Sequence, residues 1–293
     1  MPLTNVTSLM GHGRSAPEPR LRRVCLVEDD IVTRLLVREA IGVLDPTLEL
    51  EQHGCAEEVL YSGSELRGVE LFILDHHLPG MSGAEFARRL RNEYALSTVP
   101  LLMLTAERNP KILAEAWEAG ISDIATKPVE MYELGLRVKN LVRLGRHPRL
   151  VATDRPLRVA VVDDDPAVVI AVGEALRTHA MPPDAHPLDL RVYTNAETAE
   201  QALLSHAPET ACDLVIIDHY LPGQKGIDLV QRLRDDPRLG ALPILVMTGD
   251  ATLAIKWLAY EAGATEFIVK PFDLYELGLR VRNLLALARA VPL

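Results

Sequence analysis

The sequence predicts an α/β protein of two doubly wound (βα)5 domains, each built on a five-stranded parallel sheet. The first observation behind this prediction is an internal duplication, since residues 71–144 align with 214–287 without a gap and 32 of these 74 positions are identical. The second is that short apolar runs alternate with stretches of helical period within each copy. Strands that alternate with helices form βαβ units, which place parallel strands in one sheet with helices on both faces.

The apolar runs and helical stretches of copy one define its elements. Buried strands are predicted at 24–27, 71–74, 100–105 and 121–126, and helices at 31–44, 84–92 and 111–120. Gly120 closes the last of these helices, as glycine commonly does. Copy two begins in the same way, with VAVVDDD at 159–165 matching VCLVEDD at 24–30. We therefore predict a disordered leader at 1–20, domains at 21–147 and 157–293, and a linker at 148–156.

Composition argues against several classes of partner. The 293-residue chain has 31 Lys and Arg against 41 Asp and Glu, a net charge of −10 with His neutral. This balance disfavours a nucleic-acid surface, which needs basic residues to displace counterions, and it disfavours docking on anionic lipid. Three cysteines without a CxxC pair form no disulfide framework and no zinc motif, which favours a reducing compartment. No apolar run reaches the ~18 residues of a membrane span, so we predict a cytoplasmic protein.

Polar side chains follow the predicted strands, and we expect them to meet at one edge of each sheet because ligands of such folds lie beyond the carboxyl ends of the strands. They are Glu28, Asp29, Asp75, Thr105 and Lys127 in copy one, and Asp163, Asp164, Asp218, Thr248 and Lys270 in copy two. The central aspartate precedes the threonine by 30 residues and the lysine by 52 in both copies. Two unit charges ~4 Å apart repel by about 4 kcal/mol at an effective dielectric of ~20. A Mg²⁺ ion, which prefers oxygen ligands, would remove this penalty in each copy.

The same residue types suit phosphoryl transfer. A carboxylate can act as a nucleophile and form an acyl phosphate. Mg²⁺ and a lysine can neutralise the charge of the transferred group, while a hydroxyl donates to one of its oxygens. Lys127 and Lys270 each precede a proline, which biases the lysine away from helical geometry and keeps it at the end of its strand.

Each copy resembles a receiver domain of the bacterial two-component response regulators, whose fold is flavodoxin-like. The resemblance covers about residues 22–146 and 157–290 and rests on five elements in fixed order: EDD or DDD after strand one, LDHHLPG or IDHYLPG, a strand that ends in threonine, Lys-Pro, and a final amphipathic helix. It implies one Mg²⁺ ion per domain and an aspartate that accepts a phosphoryl group. The implied phosphoacceptors are Asp75 and Asp218; the metal ligands are Glu28, Asp29, Asp75 and the His77 backbone carbonyl, with Asp163, Asp164, Asp218 and the Tyr220 backbone carbonyl; the phosphate-binding and switch residues are Thr105, Lys127, Thr248, Lys270 and Phe267.

Some positions depart from the usual pattern of the family. Phe267 stands three residues before the lysine, where the family usually has an aromatic residue, but copy one has Ile124 there. We therefore expect a ring movement coupled to threonine in copy two and a less complete switch in copy one. His76 and His219 follow the central aspartates where an apolar residue is usual, and we interpret them as packing or hydrogen-bonding residues rather than zinc ligands. Positions that tune acyl-phosphate lifetime in the family hold His77, Glu107, Tyr220 and Asp250.

Two features of the sequence are open to more than one interpretation. Asp30 and Asp165 either cap the following helix or take part in the acidic cluster. The last helix of each copy either covers its sheet alone or, together with helix four and strand five, forms the surface through which this family usually binds a partner or a second copy.

The resemblance implies a signalling protein and not an enzyme. A sensor histidine kinase or histidine phosphotransfer protein would phosphorylate Asp75, Asp218 or both, and the altered surface would bind a downstream protein or pair in a homodimer through the helix 4–strand 5–helix 5 face. Two other outputs stay open, a phosphate sink and communication between the two receiver domains of the chain. The alternative is the N-terminal regulatory part of a larger effector enzyme, such as a diguanylate cyclase or a cyclic-dinucleotide phosphodiesterase. A third class, a phosphatase with an aspartyl nucleophile, usually places an acid two residues after the nucleophile, where this chain has His77 and Tyr220.

Overall fold

The computed structural model describes residues 22–61, 66, 68–94, 96–146, 156–180, 187–205 and 211–289. The predicted leader at 1–20, and the predicted linker at 148–156 apart from Pro156, lie outside these residues. Within the described ranges, no helix is long and apolar enough to cross a membrane.

The first domain alternates five strands with five helices. The elements are β1 (Arg22–Val27), α1 (Ile31–Leu44), β2 (Leu48–His53), α2 (Ala56–Tyr61), β3 (Val69–Asp75), α3 (Gly83–Asn92), β4 (Leu101–Thr105), α4 (Pro110–Glu118), β5 (Asp123–Thr126) and α5 (Met131–Arg146). Its strands are all parallel and lie in the order β2-β1-β3-β4-β5.

The second domain repeats this plan. Its elements are β6 (Leu157–Val162), α6 (Pro166–Ala175), β7 (Leu188–Tyr193), α7 (Ala196–Leu204), β8 (Leu214–Asp218), α8 (Gly226–Asp235), β9 (Ile244–Thr248), α9 (Leu253–Ala262), β10 (Glu266–Val269) and α10 (Leu274–Arg289). The parallel order is β10-β9-β8-β6-β7, the mirror listing of the first sheet, and α6 continues into a π-helical turn at Leu176–Ala180. The predicted fold class, two doubly wound domains, is confirmed.

Local chemistry explains where the helices begin and end. Asp30 and Asp165 are N-caps, since their carboxylates accept from the backbone N–H groups of Thr33 and Ala167, both at 2.8 Å. Helix α4 ends at Glu118, earlier than the predicted 120, because Gly120 takes a left-handed φ of +85° and turns the chain into β5.

The two domains pack on each other through α4, β5 and α5 of the first and α9, β10 and α10 of the second. Leu136 of α5 belongs to the apolar core of the second domain, and Leu279, its equivalent 143 residues later, belongs to the core of the first. The face predicted to form a homodimer is therefore covered by the other half of the same chain. A covalent link favours this arrangement because it gives the faces a high effective concentration for each other. A homodimer through this face would have to displace the internal contact.

Candidate functional sites

The first site lies at the carboxyl ends of β1, β3 and β5. Lys127, which directly follows β5, places its ammonium Nζ 2.7 Å from Asp75 Oδ1 and 2.8 Å from Glu28 Oε2. Ligand atoms of Glu28, Asp29 and Asp75 lie within 4.8 Å of one another. Glu28 and Asp75 are buried, whereas Asp29 is exposed at the rim. The strand ends thus bring the predicted acids and the lysine of copy one into one pocket.

Burial and charge set the protonation of this first pocket. Burial raises the pKa of Glu28, and the nearby Asp75 raises it further, while Lys127 opposes the shift. For Lys127, burial works to lower the pKa, but the hydrogen bonds and charges of Asp75 and Glu28 outweigh it, so the pKa is raised and the lysine stays charged. The pocket therefore holds one fixed positive charge among its acids.

The second site repeats this geometry with a shorter first acid. Lys270 Nζ lies 2.7 Å from Asp163 Oδ2 and 2.8 Å from Asp218 Oδ1. Ligand atoms of Asp163, Asp164 and Asp218 lie within 4.8 Å of one another. Burial raises the pKa of Asp218, although Lys270 acts against the shift. The pKa of Lys270 is raised because its contacts with Asp163 and Asp218 outweigh the effect of burial.

Thr105 and Thr248 are the last residues of β4 and β9, and both are buried. Each lies one residue beyond the position that pairs with the central aspartate on the neighbouring strand. Each hydroxyl accepts from the backbone N–H two residues on, that of Glu107 at 3.0 Å and that of Asp250 at 3.1 Å. A hydroxyl that accepts in this way keeps its own proton for another acceptor. The two threonines thus stand between the pocket and the loop that leads to the next helix.

The remaining predicted residues lie around the pockets. His77 Nε2 lies 3.4 Å from Glu107 Oε1, and the Tyr220 hydroxyl donates to Asp250 Oδ2 at 3.4 Å, so these residues form matched pairs at the two rims. The Tyr220 backbone N–H also bonds to Asp218. Phe267 is buried in the core of the second domain, whereas Ile124 is half-buried against the core of the first. His219 is buried and His76 half-buried, and burial lowers the pKa of both imidazoles.

One positioning residue in each site was missed by the sequence reasoning. A Cβ on Gly83 would lie 2.1 Å from the backbone carbonyl oxygen of Asp75, and one on Gly226 would lie 1.9 Å from that of Asp218. Only glycine lets the helix after the loop approach the central aspartate this closely. The signal was present, because Gly83 and Gly226 share the 143-residue offset of the duplication.

The donor set of each pocket fits a hard divalent cation. Three carboxylates supply oxygen ligands within a few ångströms, two of them buried, and the third faces solvent, where an ion keeps part of its water shell. Of the residues predicted to bind metal, the structure therefore brings the six carboxylates into two clusters of three.

Comparison with known proteins agrees with this geometry. The family model for the response regulator receiver domain matches residues 24–139 and 159–282, which is most of the chain. The chain belongs to the response regulator receiver family. Its first domain is called receiver one and its second receiver two from here on, and the tandem arrangement predicted from the duplication is confirmed.

Relatives of receivers one and two include proteins of several kinds. The transcriptional regulatory protein AruR of Pseudomonas aeruginosa is 29% identical over 245 residues, covering 77% of this chain and 92% of AruR. The response regulator PleD of Caulobacter vibrioides is 25% identical over 227 residues, covering 73% of this chain and 48% of PleD. The cyclic di-GMP phosphodiesterase response regulator RpfG of Xanthomonas campestris is 35% identical over 121 residues, covering 41% of this chain and 32% of RpfG.

A solved structure of a two-component system response regulator/GGDEF domain protein is 28% identical and covers 91% of this chain and 99% of that chain, with a TM-score of 0.40. The chain spans about a third to a half of the length of the first curated relatives it matches, namely 32% of RpfG, 48% of PleD and 54% of the response regulator Rre1 of Synechocystis sp..

Proposed function

We propose that this protein is a response regulator in which receiver one (21–147) and receiver two (157–293) each accept a phosphoryl group on an aspartate, Asp75 and Asp218. One observation carries the proposal: a charged lysine contacts both the central aspartate and a buried second acid, and the chain builds this arrangement twice. A lysine held in this way is positioned to pair with a phosphoryl group once it is attached to the aspartate. In this proposal the chain is a phosphoacceptor and not an enzyme.

The proposed reaction is a phosphoryl transfer from a phosphohistidine. A carboxylate oxygen of Asp75 or Asp218 attacks phosphorus, the P–N bond breaks, and its electron pair remains on the imidazole of the donor. The acyl phosphate carries about −1.5 to −2 charges at pH 7. Lys127 or Lys270 pairs with this charge, and the Thr105 or Thr248 hydroxyl donates to a phosphoryl oxygen. Mg²⁺, held by the three carboxylates of each pocket and the His77 or Tyr220 carbonyl, would neutralise charge on the transferred group.

The surface change follows from the position of the threonines. In this structure the Thr248 hydroxyl accepts a hydrogen bond from the Asp250 N–H. If the Thr248 side chain rotates so that its hydroxyl donates to a phosphoryl oxygen, that hydrogen bond breaks or changes direction. That amide begins the loop into α9, so the helix can adopt a second position. The partners we propose are a sensor histidine kinase or histidine phosphotransfer protein as donor and a downstream protein as reader, in the cytoplasm and without nucleic acid or membrane.

Labelling with a small phosphodonor tests this function. Purified protein with acetyl phosphate and Mg²⁺ should gain up to two acid-labile phosphoryl groups per chain by mass spectrometry. Asp75→Asn and Asp218→Asn should each remove one, and the double variant should remove both. A double variant that still labels on aspartate would contradict the assignment. Sustained turnover of an exogenous phosphoester would show instead that the chain is a phosphatase.

The division of roles within a pocket has its own test. Lys270→Ala should leave Mg²⁺ affinity within about tenfold of wild type, because the lysine is not a metal ligand, while it abolishes the phosphorylation-linked surface change. Isothermal titration with Mg²⁺ and hydrogen exchange of α9 measure the two effects separately. An equal loss of both would count against a role for Lys270 in switching.

A second candidate is favoured by the relatives. RpfG is described as a cyclic di-GMP phosphodiesterase response regulator, and its match covers only 32% of its length. The same two receivers could therefore regulate a cyclic-dinucleotide enzyme, such as a diguanylate cyclase or phosphodiesterase, in a longer polypeptide. Reading the native gene beyond the codon for Leu293 separates the two candidates.

A further inference from the structure

Two asparagines hold the receivers together at equivalent positions. Asn140 of α5 donates through Nδ2 to the backbone carbonyls of Tyr260 (3.0 Å) and Ala264 (2.8 Å) in receiver two. Its equivalent 143 residues later, Asn283 of α10, donates through Nδ2 to carbonyls of receiver one, those of Trp117 (2.8 Å) and Ile121 (2.7 Å). Both asparagines are buried. Each amide thus adds a second hydrogen bond to a carbonyl in the last turn of the other receiver's helix, which also accepts from the N–H of Gly263 or Gly120, and binds one carbonyl in the loop beyond that helix.

The helices held in this way are the ones that leave the phosphorylation pockets. In receiver two, β9 ends at Thr248, whose hydroxyl holds the Asp250 N–H, and α9 then runs to the carbonyl of Tyr260. In receiver one, Thr105 holds the loop before α4, which runs to the carbonyl of Trp117. One helix therefore connects each pocket with an asparagine of the other receiver.

Two arginines join the same helices to the fifth strand of the other receiver. Arg137 binds Asp123 of β5 and places its guanidinium carbon 4.6 Å from the ring centroid of Tyr260 on α9. Arg280 binds Glu266 of β10 at 3.0 Å and lies 4.6 Å from the ring centroid of Trp117 on α4. A displacement of α9 or α4 would therefore disturb buried ionic and apolar contacts in both receivers.

We propose that the two phosphorylation sites are energetically coupled through this interface. Asn140 links receiver one to the position of α9, and Asn283 links receiver two to the position of α4. This inference rests on the proposed function, since it needs a phosphoryl group or its mimic at both aspartates. A helix that moves when one pocket is loaded must either break its asparagine hydrogen bonds or carry the other receiver with it. Coupling between two sites is reciprocal and typically changes affinity by ~5- to 150-fold.

The test uses beryllium fluoride with Mg²⁺ as a phosphoryl mimic on the full chain. The NMR signals of the Glu107 and Asp250 amides, which contact the two threonine hydroxyls, report the loading of each pocket separately. The affinity of the Asp218 site should differ by at least about fivefold between the wild type, where Asp75 also loads, and Asp75→Ala, where it does not.

Variants of the interface locate the route of the coupling. In Asn140→Leu/Asn283→Leu, the effect of Asp75→Ala on the Asp218 site should fall below about twofold, whereas the exposed Asn92→Leu should leave the full effect. Should the double variant fold poorly, Lys256→Met removes an ion pair with Glu133 across the interface, at 2.7 Å, and should lower the coupling on a folded background.

Each outcome decides a separate point. Failure of both aspartates to load overturns the proposed function and the coupling with it. Loading of Asp218 with the same affinity in wild type and Asp75→Ala overturns the coupling and leaves the function intact. Full coupling in the double asparagine variant and in Lys256→Met overturns the route through the interface.

Discussion

Helix α5 of receiver one makes three polar and aromatic contacts with the region of α9 that have no counterpart between α10 of receiver two and α4. Both halves of the interface have the asparagine hydrogen bonds and an arginine over an aromatic ring. Each half also has a tyrosine hydroxyl that donates to a glutamate of the other receiver, Tyr132 to Glu261 and Tyr275 to Glu118. The first half adds three contacts: Arg143 donates to the Gly263 carbonyl at 2.8 Å, Lys256 pairs with Glu133 at 2.7 Å, and the Tyr132 ring lies 6.2 Å from that of Trp257. The equivalent positions of Arg143, Lys256 and Trp257 hold Ala286, Leu113 and Ala114.

This difference shows which parts of the duplication were kept and which diverged. The contacts present in both halves come from YELGLRVKN at 132–140 and YELGLRVRN at 275–283, where eight of nine residues are identical. A two-fold interface uses the same surface on each partner, so one segment serves both halves. The added contacts come from positions that differ between the copies. The pockets are alike in both receivers, whereas the polar and aromatic contacts that α9 and α4 make across the interface are unequal in number.

The largest expected effect is a loss of stability on substitution of Gly83 or Gly226, and it tests whether the two pockets are built alike. Gly83→Ala and Gly226→Ala should each lower the free energy of unfolding by about 3 kcal/mol, because the added Cβ would collide with the carbonyl of the central aspartate. Urea denaturation measures the loss. Gly42→Ala is the control, since nothing lies within 4 Å of a Cβ there. It should stabilise helix α1 by about 0.5–1 kcal/mol. A pocket that tolerates alanine would show that the two loops are not held as tightly as the structure indicates.

The next effect is a pH dependence of the stability that Glu266 gives to β10. Burial, and then the charge of Asp123, raise the pKa of Glu266 from 4.5 to about 7. Because the folded protein holds this proton more tightly than the unfolded chain, stability is greatest below pH 4.5 on this account and falls as pH rises to about 7. At ~1.4 kcal/mol per unit, the loss is about 3 kcal/mol.

Glu266→Gln should remove this part of the pH dependence, measured by urea denaturation between pH 5 and 8, and the difference from wild type isolates the single group. Exposed Glu39→Gln on α1 serves as the control and should keep the wild-type profile. A wild-type slope in Glu266→Gln would show that Arg280 and Arg137 keep Glu266 ionised throughout.

Much of this arrangement was predictable from residue order alone. Parallel strands bring their carboxyl ends to one edge, so the positions of Asp75 and Lys127 followed once the strands were assigned. The pairing of the receivers did not follow, because the repeat of YELGLRVKN is explained equally well by recent duplication. Nothing in the sequence distinguishes an asparagine that faces solvent from one that meets the carbonyls of another domain. The role of Gly83 likewise depends on a three-dimensional approach of α3 to β3.

The switch itself should differ between the receivers to a smaller extent. Phe267 is a buried ring, whereas Ile124 has no ring to move. Phosphorylation should therefore change hydrogen exchange several-fold more in β10 than in β5, because moving a ring opens a larger space in the core. Ile124→Phe should bring β5 closer to β10 in this measurement. A larger change near Ile124 than near Phe267 in the wild type would contradict the expectation.

The smallest effect tests one of the contacts present in only one half of the interface, the ion pair of Lys256 with Glu133. Lys256→Met removes a partly buried ion pair and should lower the free energy of unfolding by about 1 kcal/mol. Leu113→Lys places a lysine opposite Glu276, the equivalent of Glu133, and should add at most about 0.5 kcal/mol, since the Glu276 side chain is 34% exposed. The pair of variants moves the charge from one half of the interface to the other. If hydrogen exchange of α9 rises in Lys256→Met while that of α4 falls in Leu113→Lys, the Lys256–Glu133 ion pair helps to hold α9 against α5; if α9 exchanges as in wild type, this ion pair does not contribute, and α9 is held by the remaining contacts of the interface.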